Sequence, residues 1–123
     1  MTTALQSAYL RGAGGTPFGR HEGRSALDLM DVAAAQALAS SGLRRDEIDR
    51  GLCGYATTLP HLMLSTLVCE RLALRPHYAH GLQLGGASGS AMLMAARELV
   101  RSGRCRNVLV LAGPGSGKTR VLV

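Results

Sequence analysis

The sequence predicts an α/β fold, a mostly parallel sheet with helices packed against it, on three observations. Strand-like and helix-like segments alternate in the order β-α-β-α-β-α-β, which right-handed crossovers turn into neighbouring parallel strands. Residues 108–111, Val-Leu-Val-Leu, form a branched-aliphatic run without alternation, the pattern of a strand covered on both faces. The composition is 46% hydrophobic yet holds only three Tyr, one Phe and no Trp, so the core is one of Ala, Leu, Val and Met, suited to close packing of helix on sheet. At 123 residues the chain has room for one domain.

Each element has a local reason. Residues 7–15 carry Tyr9 and Leu10 followed by Gly12, Gly14 and Gly15, and read as a short strand running into a loop. A dinucleotide-binding turn is excluded, because Pro17 stands where the third glycine belongs and no helix opens there. Residues 16–24 are a polar connector. Ser25 and Asp28 form a capping-box pair at the start of a helix; Leu27, Met30, Ala34 and Leu38 recur at helical spacing, and Gly42 closes it. Its alanine patch, Ala33, Ala34, Ala35 and Ala37, permits a close approach to a sheet. A polar turn over 43–49 leads to a short strand near 52–55.

Residues 57–60 offer a second helix start with Pro60 at its first position, and Leu64, Leu67, Val68 and Leu72 supply a stripe for about three turns before Pro76. Residues 77–84 place Tyr78, His80, Leu82 and Leu84 on one side of a strand. In 88–102, Met92, Ala95, Ala96, Leu99 and Val100 share a helical face, with Ser88 as N-cap and Gly103 at the C-cap.

Charge and cysteine content narrow the function classes. The formal charge is +6, but the thirteen Arg and single Lys are scattered, without the basic stripe and interleaved aromatics of a nucleic-acid surface. That balance suits an acidic small molecule or a coenzyme phosphate better. Cys53, Cys69 and Cys105 are odd in number and widely spaced, so they read as buried packing residues, with neither a disulfide framework nor a metal site expected. No apolar run approaches the about 20 residues of a membrane helix, and no secretory leader is evident, so a soluble cytoplasmic protein is expected.

Residues 85–89, Gly-Gly-Ala-Ser-Gly between an apolar strand and a helix of small residues, resemble the nucleophile turn of the thiolase superfamily. The similarity runs through residues 7–113, in the order of segments and in the Gly-Gly-Ala-Ser-Gly stretch typical of its lipid-transfer-protein-like branch. It implies a three-layer α/β/α half-domain, truncated, a coenzyme A thioester as substrate of the full-length protein, no bound cofactor or metal, and a homodimer. Thiolases carry a nucleophilic cysteine at the position of Gly86, so no catalytic residue is expected here. Ser88 is the nearest hydroxyl, but His80 lies mid-strand without a visible carboxylate to orient it as a base. What the turn retains is main-chain donors: Gly85, Gly86, Ser88 and Gly89 are the expected substrate-binding residues. Thiolases also take a His and a second Cys from a C-terminal half, so the chain alone is expected to be inactive.

The tail, residues 114–123, reads as separate from the half-domain of residues 1–113. Residues 112–119 fit a Walker A loop after a buried strand, and their continuation resembles the first motif of a DNA helicase family, with Gly117, Lys118 and Thr119 as nucleotide-binding residues. Only four residues follow Thr119, too few for the helix and the Walker B carboxylate of such an ATPase. Three functions are therefore expected in descending order: a fragment of an acyl-coenzyme A-binding acyltransferase or carbon–carbon lyase, a non-catalytic subunit of a thiolase-like complex, and a P-loop protein. A Cys-less relative resembling steroid side-chain aldolases illustrates the first.

Overall fold

The computed structural model describes residues 7–17, 19–54, 62–112 and 120–122. Eight elements follow in order: β1 (Ala13–Gly15), α1 (Ala26–Ser41), β2 (Arg50–Gly54), α2 (Leu64–Arg71), β3 (Tyr78–Leu82), α3 (Ser88–Arg101), β4 (Val108–Ala112) and β5 (Arg120–Leu122). The strands form one sheet in the order β1-β5-β4-β2-β3. β2 lies parallel to both β3 and β4, and β5 runs antiparallel to β1 and β4, so four strands point one way and β5 opposes them. The mostly parallel α/β architecture is therefore present.

Alternation along the strands sorts the core into two layers. Cys53, Leu109 and Leu111 join α1 and α2 through Met30, Ala33, Ala34, Ala37, Leu38, Leu64 and Val68. Leu52, Val108 and Val110 face the other way, onto Met92 and the inner side of α3. Met30, Leu52, Met92 and Leu109 have no exposed surface, and each contributes about 1.5–3 kcal/mol by leaving water. A helix layer on each side of one sheet gives three layers.

α1 matches its sequence signals. Ser25 Oγ accepts from the Asp28 N–H at 3.2 Å and the Asp28 carboxylate accepts from the Ser25 N–H at 2.9 Å; Gly42 closes the helix with φ 73°. The Arg71 guanidinium, 2.8 Å from Asp28 and 3.5 Å from Asp31, ties α2 to the start of α1. The Ser25 N–H first, then Arg71, hold the Asp28 carboxyl below the usual carboxylate range. At the other end of the sheet Asp49 accepts from the main-chain N–H groups of Arg106 and Asn107, both at 2.8 Å, and so sets the start of β4 beside β2.

Five details differ from the sequence reading. The first strand sits on the glycines rather than on Tyr9 and Leu10: a Cβ on Gly14 would lie 2.2 Å from the Ala33 carbonyl oxygen, and one on Gly12 2.4 Å from that of Ala37. These glycines let β1 lie against the alanine face of α1, whereas Tyr9 and Leu10 are 80% and 64% exposed. α2 spans eight residues, and the expected start over 57–60 lies outside the described residues. It ends in a Schellman arrangement, Leu74 N–H to Cys69 O and Ala73 N–H to Glu70 O, that puts Ala73 in the left-handed region at φ 55°. β3 stops at Leu82, so Leu84 lies beyond the strand. Finally, the sheet crosses the expected boundary at residue 113, because Arg120–Leu122 pairs between β1 and β4.

Candidate functional site

The turn from β3 to α3 is built by glycine and serine. Gly85 has φ 59°, a left-handed value that favours glycine, and it opens a 3-10 turn over Gly85–Ala87 that feeds α3. Ser88 is the first residue of α3 rather than its N-cap, and no side chain caps that helix. Its hydroxyl faces backward, accepting from the Leu84 N–H and donating to the Gly85 carbonyl, both at 2.9 Å. Buried and engaged as donor and acceptor, the Ser88 oxygen holds the turn in shape. The expected cap is displaced by one residue because this back-bonding fixes the strand-to-helix corner.

That corner leaves its outer donors open. Among the described residues no acceptor meets the main-chain N–H of Gly85 or of Gly86, and both glycines are exposed. Unsatisfied N–H groups at the start of a 14-residue helix, together with the helix dipole, favour a partial or full negative charge there. A Cβ added to Gly86 or to Gly89 would meet nothing within 4 Å. Residue 86 therefore has room for a side chain and carries none.

The four expected binding residues, Gly85, Gly86, Ser88 and Gly89, are thus brought together at one corner by their nearness in sequence. His80 is not joined to a carboxylate: its Nδ1 is buried without a hydrogen-bond partner among the described residues. Its ring lies 5.0 Å from that of Tyr78, over which the Arg50 guanidinium sits at 5.0 Å. This stack crosses from β2 to β3 through the register Arg50 to Tyr78 and Leu52 to His80. The sequence reading missed it, since only the parallel register brings Arg50 to Tyr78.

The cysteines are free, with Cys53 and Cys105 buried and Cys69 half-buried. Burial, with a smaller contribution from Cys69, pushes the Cys53 thiol up to about 12. Burial likewise raises Cys69, and raises Cys105 with help from Asp49. All three are shifted upward, with Arg50 only partly opposing the rise at Cys105, the opposite of the depressed acidity that marks a reactive thiolate. No group of three or more His, Cys, Asp or Glu able to hold a metal occurs among the described residues. No described helix is long and apolar enough to cross a membrane.

Gly117, Lys118 and Thr119 lie outside the described residues. A P-loop opens a helix at its Lys-Thr pair, but Arg120–Leu122, directly after Thr119, is a strand antiparallel to β4. The Walker A reading is not supported by that setting.

No protein-family model matches the sequence. No curated protein matches it either. Solved structures do match in fold. A 3-oxoacyl-(acyl-carrier-protein) synthase III from Aquifex aeolicus superposes with TM-score 0.78 at 15% identity, over 92% of this chain and 52% of its own. A tetronic acid condensing enzyme gives TM-score 0.79 at 23% identity, over 92% and 49%. An acetyl-CoA acetyltransferase from Syntrophomonas wolfei gives 0.76 at 20%, over 87% and 28%. The chain spans about half the length of the first two and less of the third. The fold is that of a thiolase-like half-domain.

Proposed function

We propose that this chain is the N-terminal half of a thiolase-like acyl-thioester-binding protein, whose β3–α3 corner receives the thioester carbonyl oxygen. The single observation behind this reading is the pair of open N–H groups on Gly85 and Gly86 beside an unoccupied side-chain position. Two main-chain donors at a helix start polarise a carbonyl and stabilise the oxyanion or enolate that forms from it. With glycine at residue 86, no acyl-enzyme forms there; the corner binds and polarises, and any bond-breaking residues come from elsewhere. The acyl-coenzyme A and acyl-carrier-protein chemistry in the names of the fold neighbours supports that substrate class. A non-catalytic subunit of a thiolase-like complex is favoured by the same glycine, and on its own the chain is inactive in either case.

The protein acts in the cytoplasm as a homodimer in this reading. Support comes from β3, which among the described residues pairs only with β2, with Tyr78 and Leu84 exposed beside its outer edge. Titration of the protein with octanoyl-coenzyme A, followed by amide resonances, tests the binding site. Saturable shifts at Gly85 and Gly86 are expected. A lack of shift at both, with binding elsewhere or none, refutes the reading.

A further inference from the structure

We draw no further inference here: the strongest candidate, the exposed apolar patch that Leu93 of α3 forms with Tyr9 and Leu10 of the segment before β1, carries none because nothing in the structure shows what covers it.

Discussion

The glycines of β1 and those ahead of α3 both border a helix, yet their surroundings are opposite. Gly14 is pressed on the Ala33 carbonyl so closely that a Cβ has no place, while Gly86 looks onto open space. The two helix starts differ in the same way. α1 is sealed by the reciprocal Ser25–Asp28 bonds, and α3 has no side-chain cap, its serine being turned back onto Leu84 and Gly85 in the preceding turn. Glycine in the first setting serves packing; in the second it leaves main-chain donors and a vacant side-chain position. A glycine-rich stretch in a sequence has both meanings, and only its neighbours separate them.

Substitution separates the two settings most strongly. Gly14→Ala forces a backbone clash and is expected to cost about 3 kcal/mol, the upper end of overpacking effects, whereas Gly86→Ala leaves the thermal midpoint almost unchanged. Urea denaturation of both proteins checks this; equal losses would remove the distinction.

Removing the seal on α1 has the next largest effect. Ser25→Ala is expected to cost about 1 kcal/mol, and Ser88→Ala to shift Gly85 and Leu84 amide resonances, since the Ser88 hydroxyl fixes the corner. A perturbation by Ser88→Ala confined to residues deep within α3 would contradict that role. At the end of α2, Ala73→Gly relieves a left-handed alanine and is expected to stabilise by about 0.5–1 kcal/mol.

Alkaline pH reports on the α1–α2 side of the sheet. The folded state keeps the Cys53 proton up to about 12, while the unfolded chain releases it in the ordinary thiol range. Stability is therefore full below that range and falls as pH climbs toward about 12. Melting curves against pH should decline less steeply in Cys53→Ala than in the parent; parallel curves would show that another group governs the decline.

Much of the fold was legible from local signals. Ser25, Asp28 and Gly42 bound α1, Gly103 marks the end of α3, and the 108–111 run is a strand buried on both faces. The rest depends on residues distant in sequence. β1 falls on Ala13–Gly15 because α1 approaches there, which no rule of strand propensity contains. β5 exists through pairing with β1 and β4, so a reading that divided the chain at residue 113 had no means of finding it. At the candidate site, the sequence located the turn between an apolar strand and a helix, but the space beside Gly86 and the backward bonds of Ser88 are properties of the corner's shape.

The most direct measurement is the acidity of a thiol introduced by Gly86→Cys, read from its alkylation rate against pH beside the buried Cys53 and Cys105 and the half-buried Cys69. Open N–H donors at the start of α3 predict a titration at least about one unit below the ordinary thiol near 8.5. A midpoint at or above that value would show that the corner does not favour negative charge, and the proposed carbonyl site would fall with it.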